Sequence, residues 1–261
     1  MILYWRLNAA ASAMSAQQQR MDVIAHNVAN VTTAGFRRGE VLFADLLSQS
    51  MEGPGRPAVP AALLGQKPVT AGTGCRTAAI RTDFHGGALV QTGEMLHVAI
   101  VGDGFFRVQL PSGEEVYTRD GSFRKDNNGY LVTADGFRLP LPPLPAPECE
   151  VVIAADGVIT VTMPTGENRD LGRLELAAFD NPGGLARLGN NLFAATENSG
   201  PPQVLLPGGR THLQQGWLEQ GNVDLATELT ALLRSQRAYQ VSARSLQTLD
   251  EMLGIANQLQ R

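Results

Sequence analysis

The chain has 261 residues, 43% of them hydrophobic, which suits one large buried core or two smaller ones and excludes an intrinsically disordered chain. Its formal net charge of -4 comes without long runs of either sign, so the basic footprint of a nucleic-acid binder and a polybasic membrane-surface patch are both missing. No stretch approaches the roughly 18 consecutive apolar residues of a spanning helix, and neither a nucleic-acid partner nor direct membrane insertion is expected.

The opening Met1-Ile2-Leu3-Tyr4-Trp5-Arg6-Leu7 carries too short an apolar run for a cleaved secretory signal, and none is expected. Leu7, Met14, Met21 and Val28 then recur at every seventh residue, with Leu3, Ala10, Gln17, Ile24 and Val31 at the complementary offset. This is a heptad stripe with one polar interruption, the pattern of a long helix that meets another helix. Ala9, Ala10, Ala11, Ser12, Ala13, Ser15 and Ala16 are small residues around it, mostly good helix formers, and they let a neighbour approach on more than one side.

The middle of the chain changes character. Glu52 to Thr73, rich in Pro, Gly and Ala, reads as an extended connector, as does Pro140 to Pro147. Hairpin signals stand at Asp120-Gly121, Asn128-Gly129, Asp135-Gly136 and Asp156-Gly157. Between them the predicted strands are Leu96 to Val101, Phe105 to Leu110, Glu115 to Arg119, Tyr130 to Thr133, Val151 to Ala154, Val158 to Met163 and Leu171 to Phe179.

A second helix follows, with Leu225, Leu232, Tyr239, Leu246 and Leu253 at seventh-residue spacing and Leu229, Gln236, Ala243 and the polar break Asp250 at the other offset. Asn222 or Asp224 is placed to cap its start. The expected fold is α+β: long N- and C-terminal helices form a coiled-coil-like assembly domain around a central mainly-β domain. The expected division is 1–40 and 212–261 for the paired terminal helices, 41–74 for a connector and 75–211 for the β domain. The stripe residues Leu3, Leu7, Met14, Met21, Ile24 and Val28, with Leu225, Leu229, Leu232, Tyr239, Leu246 and Leu253, are the candidate polymerisation interface.

Chemistry-bearing patterns are few. Cys75 and Cys149 make no CxxC pair and lie near no His at metal-ligand spacing; the sequence leaves open two separate thiols or one bridge in an oxidising compartment. His26, His85, His97 and His212 form neither HxxxH nor HExxH. Gly102-Asp103-Gly104 lacks the third glycine of a dinucleotide loop and runs into Phe105-Phe106, and Asp126-Asn127-Asn128-Gly129 lacks the alternating acids and closing Glu of a calcium loop. Glu114 and Glu115 would face opposite sides of a strand, and no G-x-S-x-G occurs. Arg234, Arg237 and Arg244 read as a solvated or salt-bridging face. No catalytic, cofactor-binding or metal-binding residue is assigned, and no cofactor is expected.

The run His26-Asn27-Val28-Ala29-Asn30-Val31-Thr32-Thr33-Ala34-Gly35-Phe36-Arg37-Arg38 resembles the N-terminal signature of the bacterial flagellar rod and hook family, with Asn27, Ala29, Asn30, Thr33, Gly35 and Phe36 on the matching positions. His26 stands where the family usually has Asn, and Arg37 where it has Lys. Physically, Asn30 and Thr32 can end a helix through local side-chain bonds, and Gly35 suits a left-handed turn before Phe36 anchors the chain. Further matching runs are Gly72-Thr73-Gly74, Gln91-Thr92-Gly93, Leu96-His97-Val98-Ala99-Ile100 leading into Gly102-Asp103-Gly104-Phe105-Phe106, and Tyr117-Thr118-Arg119-Asp120-Gly121-Ser122-Phe123. Gly189-Asn190-Asn191-Leu192-Phe193 and Gln215-Gly216-Trp217-Leu218-Glu219 with Gly221-Asn222-Val223 complete the set, which spans nearly the whole chain.

The resemblance implies a structural subunit that polymerises helically, exported through the flagellar type III channel without a cleaved signal. Its place would be the distal part of the rod that crosses the periplasm and carries torque to the hook, a proximal-rod or hook paralogue being the alternative. Its implied partners are other copies of itself, the neighbouring proximal-rod and hook proteins, and surrounding ring proteins. Terminal helices would line the inner tube and the β domain the outer layer, while the 52–73 segment is either a stiffening contact with the next subunit or a loose linker. Two other classes are weighed against it: a secreted β-rich adhesion or carbohydrate-binding module, and a hydrolase with an unrecognised site. A monomeric module has no need of apolar helices at both ends, and an enzyme needs a convergent polar pocket.

Overall fold

The computed structural model describes residues 2–46, 48–50, 70–145, 150–163 and 168–259. Two helices bracket the chain, α1 (Ile2–Ala29) and α2 (Leu225–Leu259), and the region between them is almost entirely strand. This is an α+β chain with a mainly-β centre. Residues 1–28, 39–81 and 225–261 form one compact unit, and residues 29–38 and 82–224 form the other. Most of the expected connector, Cys149 with its potential bridge, and the side chain of Leu3 lie outside the described residues.

In the helical unit, the strand Gly39–Asp45 pairs with Cys75–Thr82, and Ser48–Ser50 pairs antiparallel with Thr70–Gly72. The most buried positions of α1 are Ala16, Ile24 and Asn27. At about 100° per residue, Ala16 sits half a turn away from the Leu7–Met14–Met21–Val28 row; those four side chains are half-buried. On α2 the buried positions are Glu228 and Ser235, seven residues apart.

The β unit is built on a six-stranded antiparallel sheet in the order Ala186–Gly189, Leu192–Ala194, Glu115–Thr118, Phe105–Gln109, Leu176–Ala178, Gln203–Leu205. Both faces are covered. Successive strand residues point to opposite faces, so Phe106, Val108, Val116 and Leu176 enter the main core while their neighbours Phe105, Tyr117 and Ala177 join Phe179, Leu185 and Phe193 in a second cluster. That cluster holds together by edge-on ring contacts, such as Tyr117 with Phe179 at 4.8 Å. A three-stranded antiparallel sheet, Glu150–Ile153, Val158–Thr162 and Asn168–Arg173, adds Val151, Ile153, Ile159 and Val161 to the main core. Val98–Val101 pairs with His212–Gln215, and Leu89–Gln91 with Trp217–Glu219.

Three of the four hairpin signals are tight turns: the N–H groups of Gly129, Gly136 and Gly157 each donate back to the carbonyl three residues earlier. Asp120-Gly121 is not one. Gly121 is buried and runs so close to Val98 that a Cβ would sit 1.7 Å from the Val98 carbonyl oxygen, so here glycine serves close backbone approach and not turning. The expected strand Leu171 to Phe179 divides between two sheets, because Leu174 N–H donates to Gly157 O and turns the chain out of the three-stranded sheet.

Candidate functional site

In the helical unit, Asn27 is the organising residue, at 1% exposure. Its Nδ2 donates to Gly39 O and its Oδ1 accepts from Gly39 N, both at 2.9 Å, so one side-chain amide does for the first residue of strand Gly39–Asp45 what a neighbouring strand would do. Nδ2 also lies 3.4 Å from Oε2 of buried Glu228 in the first turn of α2. Asn27 therefore bonds to both the strand and α2. An Ala here would strand buried polar groups, which costs about 1–3 kcal/mol.

From Ala29 on, the signature run lies in the β unit. Thr33 N–H donates to Asn30 O at 3.1 Å and Thr33 Oγ1 to Asn30 Oδ1 at 3.2 Å. Gly35 then takes φ +66°. A Cβ at Gly35 would meet Arg119 C and Asp120 N at 2.5 Å, so both conformation and space demand glycine. Gly35 N–H donates to Glu219 O at 2.8 Å, and Asn191 Nδ2 donates to Ala34 O at 3.1 Å. Phe36 is buried, with the Arg187 guanidinium over its ring at 5.6 Å, and Arg187 also donates to Arg37 O. Burial holds the Arg187 guanidinium below its ordinary pKa. Ala29 is exposed.

Behind this turn sits a closed polar cluster. The fully buried Arg37 donates to His85 O at 2.7 Å and pairs with Glu219 Oε1 at 2.8 Å. Gly87 N–H donates to that same oxygen at 2.8 Å. Glu219 Oε2 faces Arg119 at 3.4 Å, and Arg119 in turn donates to Gly102 O at 2.8 Å and stacks over Phe105 at 5.4 Å. Burial lowers the Arg119 pKa to about 10; Glu219 and Asp103 oppose that and Arg37 adds to it. The guanidinium stays charged at neutral pH. On the rim, Asn222 accepts from Arg38 N at 2.7 Å and donates to Asp83 O and His85 O. Asn222 therefore clamps the loop, while α2 begins directly after Asp224.

Each charged group has an ion-pair or hydrogen-bond partner within the cluster, although Arg37 Nε and Arg119 Nε are buried without a hydrogen bond, so the cluster fastens the signature turn to the strand Trp217–Glu219 and presents no unpaired acid or nucleophile. Arg119 and Glu219 stand within the matching runs of the sequence with no role assigned, and Asn222 is expected there only as a helix cap, whereas its side chain binds Arg38, Asp83 and His85. The available signal was a charged residue closing an otherwise apolar strand, as Glu219 does after Trp217-Leu218. Among the described residues no group of three or more His, Cys, Asp or Glu is placed to hold a metal ion, and no helix is long and apolar enough to cross a membrane.

The candidate interface residues are distributed over both helices of the helical unit. Ile24 is buried; Leu7, Met14, Met21, Val28, Leu232, Tyr239, Leu246 and Leu253 are half-buried; Leu225 and Leu229 are exposed at 45% each.

Three family models match the chain in order: residues 7–37 match the flagella basal body rod protein family, residues 99–162 the D1 domain of flagellar hook protein FlgE/F/G, and residues 214–259 the C-terminal region of flagellar basal body rod FlgEFG proteins. These define a class, the structural subunits of bacterial flagellar rods and hooks. The flagellar basal-body rod protein FlgG of Borreliella burgdorferi is 41% identical, with 97% of each chain covered. From Caulobacter vibrioides, FlgG is 36% identical with 97% of this chain and 98% of the relative covered, and FlgF is 32% identical with 90% and 89% covered. The chain belongs to the FlgE/F/G family of flagellar basal-body rod proteins: it is a structural rod subunit, not an enzyme.

Proposed function

We infer that this subunit polymerises helically into the distal segment of the rod, the drive shaft that passes torque to the hook. In that reading the two helices pair along their stripes and pack against the helices of other copies to make the inner tube, while the β unit forms the outer layer. The interface is carried by Leu3, Leu7, Met14, Met21, Ile24 and Val28 on α1 and by Leu225, Leu229, Leu232, Tyr239, Leu246 and Leu253 on α2. Its partners are further copies of itself, the adjoining proximal-rod and hook proteins, and the rings around the shaft, and its place is the periplasm-spanning part of the basal body. The distal assignment follows relatives named FlgG, which in the Caulobacter pair match better than FlgF.

The observation that carries the reading is surplus apolar surface on α2. Leu225, Leu229, Leu233, Val241, Met252 and Ile255 are all at least 45% exposed in the single subunit. Exposed single apolar residues are ordinary, but six along one helix make a surface that a solitary soluble protein rarely carries and that assembly would cover. A shaft under torque also needs subunits that do not yield internally, and the Arg37–Glu219–Arg119 cluster stiffens the turn at the start of the β unit. The test is sedimentation and electron microscopy of the purified chain over a concentration series. Hollow tubes or helical rods are expected; a species that stays monomeric at high concentration would contradict the reading.

A further inference from the structure

The helical unit carries a groove of about 630 Å³ between α1 and the strand Cys75–Thr82. Its floor is made of short side chains, Ser12, Ser15 and Ala16, so an incoming helix can come close to the α1 backbone. One end is apolar with a single carboxylate: Val23 and the 57%-exposed Ile80 flank Asp22. Asp22 is exposed and makes no ion pair among the described residues, and it is the only acidic residue in α1. Arg76 lines the groove too, on the strand residue next to Cys75, whose N–H lies 3.4 Å from Ser12 Oγ. On the wall, the buried Thr77 Oγ1 has no hydrogen-bond partner.

The complementary shape is on α2. Leu229, Leu233, Arg237 and Val241 follow one another at four-residue spacing, which makes them a single ridge on the helix surface. The three apolar members are exposed at 45%, 56% and 64%, and Arg237 is exposed with no ion-pair partner among the described residues. The ridge is thus apolar with one cation, and the groove offers one anion, Asp22, beside the apolar Val23 and Ile80, with a cation, Arg76, elsewhere in its lining.

We propose that the α1 groove receives the Leu229–Leu233–Arg237–Val241 ridge of a second copy of this chain, with Arg237 against Asp22. Leu233 and Leu229 then run back over the small-residue floor, and Val241 meets Ile80. Arg76 sets the direction, since a reversed ridge would carry Arg237 towards it. Ridge and groove are different surfaces, so the contact is heterologous and does not close on itself; repeated, it builds an open helical array. The proposal rests on the polymer reading above and specifies which faces meet.

The test compares the full-length wild-type chain with Asp22→Lys, Arg237→Glu and the double variant, by sedimentation and electron microscopy. Both side chains are exposed, and far-UV circular dichroism of the monomers checks that folding is kept. Each single variant is expected to raise the critical concentration for assembly about tenfold, and the double variant to return it to within about threefold of wild type, because the reversed charges pair again. If wild type and both singles assemble equally, or the double is no better than the singles, this pairing is overturned while the polymer reading stands. If the wild type itself never assembles, both fall.

Discussion

Replacing Glu219 with Gln tests the polar cluster at its centre. The Glu219 side chain is 3% exposed and is the acidic partner of both Arg37 and Arg119, whose side chains are 0% and 5% exposed. The amide keeps a carbonyl oxygen for Gly87 N–H, while its NH2 takes the place of the oxygen that accepts from Arg119, so the change removes the charge and one buried acceptor. Two buried guanidinium groups then face each other without compensation, a loss of about 3–5 kcal/mol. With a urea m-value of about 2.5 kcal/mol/M, the unfolding midpoint of the β unit falls by about 1.5 M. Arg119→Met is the control: it removes the cation that burial already disfavours and leaves a neutral Arg37–Glu219 pair, so it costs less than Glu219→Gln despite losing the bond to Gly102 O. Equilibrium urea unfolding, followed by near-UV circular dichroism, reads both variants. A Glu219→Gln loss under 1 kcal/mol, or an Arg119→Met loss as large as that of Glu219→Gln, would refute the charge argument.

Other perturbations reach different parts of the account. Gly35→Val forces a β-branched residue to φ +66° and drives its Cβ into Arg119 and Asp120; the strain alone is about 1–2 kcal/mol and the backbone clash adds to it, so native near-UV signal should be lost or the melting temperature should drop steeply. Met21→Asp and Leu232→Asp place a carboxylate at half-buried positions of the helical unit; both should stop polymerisation in a sedimentation assay while the β unit keeps its own unfolding transition. Asp83 supplies an acid limb to stability. Burial raises its pKa, but His85 and Arg38 outweigh that and hold it below the ordinary 3.8. Its contribution is therefore present above about pH 3.8 and disappears as the pH falls through the lower folded value. Asp83→Asn should flatten that part of a stability profile measured from pH 2 to 5, and an unchanged profile would count against the assignment.

Much of this architecture is legible along the chain because it is local. The seventh-residue spacing from Leu7 and from Leu225 marks both helices, and the Asn-Gly and Asp-Gly pairs at 128–129, 135–136 and 156–157 mark hairpin turns through local backbone preference. What is not legible depends on distant partners. Asp120-Gly121 has the letters of a turn, yet its glycine answers to Val98, far away in sequence. Ala16 and Asn27 are more buried than the Met14–Met21 row because a strand pairs with Cys75–Thr82 on another side of α1, and no periodicity of α1 alone encodes that strand. Asn222, beside the start of α2, looks like a helix cap but is claimed by Arg38, Asp83 and His85. The Arg37–Glu219–Arg119 cluster gathers residues up to 182 positions apart, and residue type alone cannot announce such a meeting.

Hydrogen exchange of the α2 amides, Leu225 to Leu259, in the free subunit and in the assembled state tests most directly whether the helix faces are made for other copies. The account predicts exchange in the free subunit close to that of a fraying surface helix, slowing at least about a hundredfold on assembly. Equal and strong protection in both states would mean that the helix is already complete in a solitary molecule, and would contradict it.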